Sequence, residues 1–294
     1  MSADLFIVIT DFNGSRQTCR CLRALADSEN QEFVVVVVDH GTDGRTGKMM
    51  LEDYPEHVRL QGSPDLWWTA ASNMGIRYAI DHNADWIMLL NNDCFVRKGT
   101  IGKLLDLSQT EESSIIAPVQ YDLETGNVTS FNPSSGLTFG FSTLPGLQGK
   151  IDFSGYGALH AVKLIVGGRG VIIPSTVFNR IGMFDEADLP HYGADHDFYL
   201  RARGAGIKLF TACQAAVDID NSTTTLSKKL DLMEWAGFLR SLTDRRSHRN
   251  FHDNLTLFKK HYPLKYFYLT GVFLYYSRYI LVYFFSRLKK VFMS

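Results

Sequence analysis

The stretch Trp86-Ile87-Met88-Leu89-Leu90-Asn91-Asn92-Asp93 decides the fold. Five apolar residues run without interruption into a polar end. A short run of that kind suits a strand buried on both faces. In an open α/β sheet, ligands gather outside the carboxyl ends of such strands, which puts Asn91 and Asp93 at the rim of a cleft. A carboxylate there is a natural ligand for a hard divalent cation that also holds a diphosphate. Asn and Asp are equally favoured as helix N-caps, and the residues alone leave both readings open.

Upstream, Leu5 to Thr10 reads as a first buried strand, followed by the turn residues Asp11-Phe12-Asn13-Gly14 and Ser15 as a helix N-cap. Cys19, Leu22, Leu25 and Ala26 fall at helical spacing and predict a helix over 15–28. Phe33 to Val38 is a second apolar run, ending at Asp39. This β–α–β unit requires a parallel sheet. Neither GxGxxG nor GxxxxGK[ST] follows the first strand, so those two phosphate-cradling schemes lose their support. Asp39 suits hydrogen bonds from a base or ribose, or a plain turn. Val58-Arg59-Leu60 is a third short strand, and the loop after it holds Asp65, Trp67 and Trp68. Adjacent indoles either stack on a sugar ring or pack under the loop. A small-residue helix over 70–80 carries Asn73 and Gly75, which allow close approach to a ligand or strand.

Downstream, a helix is predicted over 99–107 and a strand over 115–119, with loops and short strands over 121–160 on the acceptor side. Leu164 to Ile173 is apolar around Gly167-Gly168-Arg169-Gly170. Glycines in a strand pattern mark a bulge or the close approach of a ligand, and Arg169 is placed to face a phosphate. Pro174 and Ser175 open a helix that ends near Gly182. His191-Tyr192-Gly193-Ala194-Asp195-His196-Asp197 precedes a helix over 198–205. An acid at a helix N-terminus is stabilised as an anion and can take a proton from a hydroxyl. One of Asp195 and Asp197 is expected to cap that helix. A short strand follows over 207–210, and Val217-Asp218-Ile219-Asp220 alternates as an edge strand with both acids on one face.

The 294 residues are 45% hydrophobic with a formal charge of −1, which suits a globular core and offers nothing for nucleic acid. Cys19, Cys21, Cys94 and Cys213 form no CxxC, so zinc and disulfide frameworks are not expected and a reducing, cytoplasmic setting is. The first residues lack a basic and apolar leader pattern. Residues 223–261 read as surface helices with a basic cluster at Arg240, Arg245, Arg246, His248 and Arg249. From Pro263 to Ser294 there is no acid, only Lys265, Arg278, Arg287, Lys289 and Lys290 among Tyr, Phe and Leu. Leu264 to Phe285 has the roughly 20 residues a span needs, but its charges and tyrosines favour an interfacial helix or hairpin on the cytoplasmic membrane leaflet. A packed helix at a homodimer interface is the other reading.

Four blocks together resemble the inverting glycosyltransferases of family 2, which have the GT-A fold. They are Ile7 to Gly14, Val37 to Gly44, Trp67 to Ile76 with Leu89 to Asp93, and Gly182 to Glu186 with Tyr192 to Asp197 and Arg201. The resemblance covers about residues 4–220. It implies an α/β fold with a mostly parallel central sheet flanked by helices. Residues 1–222 would form the transferase domain, with 1–95 binding the nucleotide sugar and 96–222 the acceptor, and 223–294 would be a helical, membrane-associating region. Thr10, Asn13, Asp39, Asp65, Asn73, Asn92 and Arg169 would line the donor site, and Trp67, Trp68, His191 and Asp197 the acceptor site. Asn91-Asn92-Asp93 stands where the family has DxD, so Asp93, with Asn91, would hold Mg²⁺ or Mn²⁺. Asp195 matches the catalytic base.

The chain departs from the pattern in three places. Asn91 replaces the first acid of DxD, Ala194 the Glu before the base, and the late metal-binding His has no match after Val217. The implied donor is a dTDP-, UDP- or GDP-sugar. The implied acceptor is a lipid-linked or oligosaccharide hydroxyl, as in transferases that build bacterial surface polysaccharides, often with deoxysugars such as rhamnose. A scaffold subunit of a polysaccharide assembly and a sugar-phosphate nucleotidyltransferase are the competing readings.

Overall fold

The computed structural model describes residues 5–29, 32–111, 113–223 and 233–293, with side chains as far as 287. Strands β1 (Leu5–Asp11), β2 (Val34–Asp39), β3 (Val58–Gln61) and β4 (Trp86–Leu90) alternate with helices α1 (Ser15–Ala26), α2 (Arg45–Asp53) and α3 (Trp68–Asp81). Then come β5 (Cys94–Val96), α4 (Thr100–Thr110), β6 (Ile115–Asp122), β7 (Val128–Phe131), β8 (Ser134–Gly136), β9 (Phe141–Leu144), β10 (Leu147–Gly149) and β11 (Leu159–Ala161). The chain continues through β12 (Arg169–Pro174), α5 (Ser175–Ile181), α6 (Ala194–Gly204), β13 (Leu209–Ile219), α7 (Trp235–Ser241), α8 (Phe251–His261) and α9 (Tyr268–Met293).

The main sheet runs β10-β7-β6-β12-β4-β1-β2-β3, with β13 beside β6 and paired also with β5 and β11. β3, β2, β1 and β4 are parallel, in register Thr10 with Val38 and Asp11 with Asp39. β12 then lies antiparallel between β4 and β6, so the sheet is mixed from that point. An apolar run buried on both faces reads the same in either direction. Only its connections set which way it points.

The uninterrupted apolar strands are explained by two cores, one on each face. Phe6, Val8, Val36, Ile87 and Leu89 pack on one side with Ile76, Phe178 and Phe198. Ile7, Ile9, Val35, Val37, Met88 and Leu90 pack on the other with Leu22, Leu25, Met50 and Leu104. Each such side chain contributes roughly 1.5–3 kcal/mol by leaving water. A Cβ on Gly75 would run into Val8, so the glycine lets α3 lie directly on β1.

Several elements differ from the sequence-based expectation. α2 and β5 were not anticipated; β5 is too short to show a period. β12 begins only at Arg169, leaving 164–168 outside the strand. The two strands expected over 207–210 and 217–220 are one, β13. β13 is paired on both sides at Asp218 and so is no edge, and Asp218 binds Arg97 while Asp220 binds Arg20. α6 starts four residues earlier than expected, with Gly193 as N-cap, so neither Asp195 nor Asp197 caps it.

The C-terminal region is packed onto the body rather than lying free on its surface. Phe258, Tyr262, Val272 and Tyr275 form a cluster with Leu137, and Phe238 packs with Met233 and Tyr283. Of the basic cluster, Arg249 is buried, with its guanidinium 5.4 Å from the Tyr279 ring. α9 is one continuous helix rather than a hairpin. Among the described residues, no helix is long and apolar enough to cross a membrane. Leu226, Leu230 and the side chains of Lys289 and Lys290 lie outside the described residues.

Candidate active site

The carboxyl ends of β1, β2 and β4 meet at one rim, as parallel register requires. Asp11 is buried there and accepts from the Gly14 amide (2.8 Å), the Thr18 hydroxyl and the Thr46 hydroxyl (3.1 Å). Asn13 sits at φ 59°, and its Oδ1 accepts from the amides of Thr42 (2.7 Å) and Asp43 (3.2 Å). Asp39 accepts from Arg59 Nη2 (2.8 Å) and Nε (3.1 Å) and from the Gly41 amide (3.2 Å). The loops after β1 and β2 are thereby tied together beside half-buried Thr10.

Beyond β4 opens a cleft of about 490 Å³. Trp68, Asn91, Asp93, Arg169, His191 and Asp195 all line it. The glycines of the 164–173 run join its two sides. Asn91 donates its amide to the Gly168 carbonyl (2.7 Å), and the Gly167 amide donates to Asp195 Oδ2 (2.7 Å). A Cβ on Gly168 would lie 3.1 Å from the Trp68 ring and 3.2 Å from Leu89, too close for comfort. The register of β12 shifts between Arg169 and Val171, a bulge of the kind that re-aims a side chain. Arg169 Nη1 is held by Gln120 Oε1 (3.1 Å).

Electrostatics separate the two acids. Burial pushes the Asp93 carboxyl up, against the opposing pull of Arg169 and of the Cys94 thiol that donates to Oδ1 (3.3 Å). Burial also works against an ionised Asp195, but His196 and the Gly167 amide outweigh it and hold that carboxyl at about 2. His196 Nδ1 is 3.0 Å from Asp195 Oδ1, and its Nε2 meets the Thr143 hydroxyl. Burial pulls the His196 imidazole down, yet Asp195 prevails and its value is raised. His191 is driven down to about 4 by burial, which outweighs the opposite pull of Asp195.

Other expected site residues are placed differently. Asn91 Oδ1 already accepts from Trp68 Nε1 (3.0 Å). Asn92 Nδ2 donates to Thr18 Oγ1 (3.1 Å), Asp65 is exposed on its loop, and Trp67 tilts against His191 with ring centroids 5.5 Å apart. Asn73 is buried and bonded to the Phe184 backbone (2.9 and 3.1 Å) and Glu186 Oε2 (2.7 Å), so it fastens α3 to the segment before α6. Asp197 is fully buried, 2.8 Å from each of Arg201, Lys260 and His261. It clamps α6 to α8 and is not among the cleft-lining residues, contrary to an acceptor role.

The same cleft is lined by Thr143, His196, His248, Asp253, Tyr275, Arg278 and Tyr279, which sequence reasoning did not single out. Tyr275, Arg278 and Tyr279 share a helix face at spacings of three and four, a signal hidden inside an otherwise apolar segment. Nothing in the sequence marks His248 or Asp253 for the site.

Among the described residues no group of three or more His, Cys, Asp or Glu could hold a metal ion. Asp93, half-buried at the end of β4, is a cleft-lining carboxylate whose chemistry fits a cation brought by a diphosphate.

The family model described as glycosyl transferase family 2 matches residues 6–158. The dTDP-rhamnosyl transferase RfbF of Shigella flexneri is 25% identical over 207 residues, 70% of this chain and 66% of that protein. An uncharacterized glycosyltransferase of Rickettsia typhi is 22% identical over 271 residues, 88% of this chain and 81% of its own length. The crystal structure of GalNAc-T7 with UDP, GalNAc and Mn²⁺ aligns with a TM-score of 0.62 at 12% identity, over 92% of this chain and 54% of that one. A crystal structure of S. aureus TarS in complex with UDP aligns with a TM-score of 0.53 at 14% identity, over 87% of this chain and 70% of that one. The chain thus spans just under two thirds of the Shigella protein and about half of the GalNAc-T7 chain. With a family match over more than half of its length and the GT-A fold around the cleft, this chain belongs to glycosyl transferase family 2.

Proposed function

We propose that the chain moves a sugar, with inversion, from a nucleotide-diphosphate sugar to a hydroxyl of a lipid-linked or oligosaccharide acceptor. The observation that carries this reading is the bridge through Gly167 and Gly168, which sets Asp93 and Arg169 on one side of a single cleft and an ionised Asp195 on the other. Thr10, Asn13 and Asp39 bind the nucleoside. Arg169 offers a fixed positive charge to the diphosphate. Asp93 would hold a Mg²⁺ or Mn²⁺, which would supply neutralisation of charge on the leaving group.

Asp195 stays ionised at any physiological pH and takes the acceptor's proton as the hydroxyl becomes acidic in the transition state. The acceptor oxygen bonds to the anomeric carbon from the face opposite the leaving group. The bond to the diphosphate breaks, and the nucleoside diphosphate departs. His196 orients the carboxylate and balances its charge.

The apolar side chains that α9 and its approach leave exposed, among them Tyr266 (90%), Phe267 (62%), Phe273 (70%) and Phe285 (66%), support a seat on the cytoplasmic membrane leaflet. Absence of acid beyond Pro263 suits anionic lipid. Flotation with phosphatidylglycerol vesicles and with phosphatidylcholine vesicles separates this from pairing of two copies, which needs no lipid. For the reaction, dTDP-, UDP- and GDP-sugars are screened with and without Mn²⁺ for a rise in melting temperature and for donor turnover. Metal-dependent turnover is expected. Failure of every donor to bind or turn over would overturn the reading in favour of a scaffold.

A further inference from the structure

We propose that Asp253 and Arg278 form an acceptor subsite for a neutral sugar ring, built by α8 and α9 into the wall of the cleft that holds Asp195. The proposal rests on the glycosyltransferase reading above.

Asp253 is 4% exposed, yet its Oδ2 has no hydrogen-bond partner, and Arg278 Nη1 has none either. Both residues line the cleft. Asp253 Oδ1 lies 3.7 Å from His252 Nδ1, an ion pair when that imidazole is protonated, and among the described residues no ion pair joins Asp253 to Arg278. A buried polar atom left without a partner costs folding free energy. Two such atoms of opposite character in one cleft point to a ligand that supplies both an acceptor and a donor.

Local structure does not account for Asp253. It is the third residue of α8, a place from which an acidic side chain commonly reaches back to the N-cap amide. Here that amide, from Asn250, goes to the Ser247 carbonyl (2.9 Å), and the Asn250 side chain caps the helix by accepting from the Asp253 amide (3.1 Å). Oδ2 is left over, and burial raises the carboxyl's pKa against the opposing pull of His252 and Arg245. Arg278 is held in place instead by aromatic rings, its guanidinium 3.9 Å from the Phe141 centroid, 5.4 Å from Tyr275 and 5.3 Å from Tyr279.

A sugar ring offers both kinds of group: one hydroxyl donates to Asp253 Oδ2, and another accepts from Arg278 Nη1. Tyr192, which also lines the cleft, adds aromatic surface of the kind a pyranose packs against. A phosphate would meet Arg278 but would be repelled by Asp253.

The test uses the full chain, D253N and R278Q. Octyl glycosides of rhamnose, galactose, glucose and N-acetylglucosamine serve as probes, read by saturation-transfer NMR for binding and by transfer assays for acceptor KM. Both variants should lose the saturation-transfer signal of the glycoside that the wild type binds. Acceptor KM should rise about tenfold or more, with metal-dependent hydrolysis of the donor within about twofold of wild type. D253N should melt within a few degrees of the wild type, because the ion pair it removes, to the largely exposed His252, contributes little. Unchanged glycoside binding in both variants would overturn the subsite. So would failure of the wild type to bind any of the four, or displacement of the glycoside by millimolar inorganic phosphate. Parallel loss of melting temperature and donor hydrolysis in D253N would make Asp253 structural. Glycoside binding is read without turnover, so it stands apart from the donor screen that tests the reaction itself.

Discussion

Replacing Asp195 by Asn keeps the shape of the side chain and removes its charge. Oδ1 can still accept a hydrogen bond, but the carboxylate that pairs with His196 and accepts from Gly167 is gone. The carboxyl sits at about 2 against an ordinary 3.8, which at about 1.36 kcal/mol per pH unit is roughly 2 kcal/mol of stability. A depressed carboxyl contributes that stability above pH 4 and loses it as pH falls toward 2. At pH 7 the variant therefore loses all of it, and melting falls by several degrees, at about 2–4 °C per kcal/mol for a chain of this size. The chemical loss is larger. Without a proton acceptor the transfer step slows by about 10²–10⁴-fold. The assay measures sugar transfer under donor saturation at 25 °C, well below melting, with nucleotide affinity from calorimetry as the control. Donor affinity should hold within a fewfold. Transfer by the variant at near wild-type rate, with the fold intact, would refute Asp195 as the base.

Asp93→Asn should raise the Mn²⁺ concentration needed for half-maximal turnover by tenfold or more while leaving nucleotide affinity without metal unchanged, checked by metal titration of the rate. Asp197→Ala leaves Arg201, Lys260 and His261 without their shared counter-charge and should cost about 3–5 kcal/mol in urea unfolding; a change below 1 kcal/mol would mean the clamp between α6 and α8 contributes little. His191 and His248 are each pulled down to about 4 by burial. The unfolded chain then binds more protons below about pH 6.5, so stability should fall as pH drops from there toward 4. Melting curves of a His191→Asn, His248→Asn double variant should be flatter over that window.

How much was legible follows from what each signal measures. Apolar runs report burial, and burial on two faces was enough to find β1, β2 and β4 and to place Asp39, Asn91 and Asp93 at their ends. Periodicity cannot report direction, so the antiparallel sense of β12 was invisible, and it cannot mark a strand of three residues, so β5 was missed. Asp195 and Asp197 are two apart and look alike in sequence. Tertiary packing makes one a cleft acid and buries the other under Arg201, Lys260 and His261.

By itself, the sequence determined the α/β layout, the polar strand-end rim and the acid at 195, because these depend on strand ends and on a short motif before a helix. Only the tertiary structure decided that the glycines at 167 and 168 join the two sides, that His196 pairs with Asp195, and that α8 and α9 complete the cleft. Asp253 and Arg278 are 25 positions apart on different helices and far in sequence from Asp93, Arg169 and Asp195. No local pattern encodes a meeting of that kind; it exists only because the packing of Phe258, Tyr262, Val272 and Tyr275 against Leu137 brings both helices to the cleft.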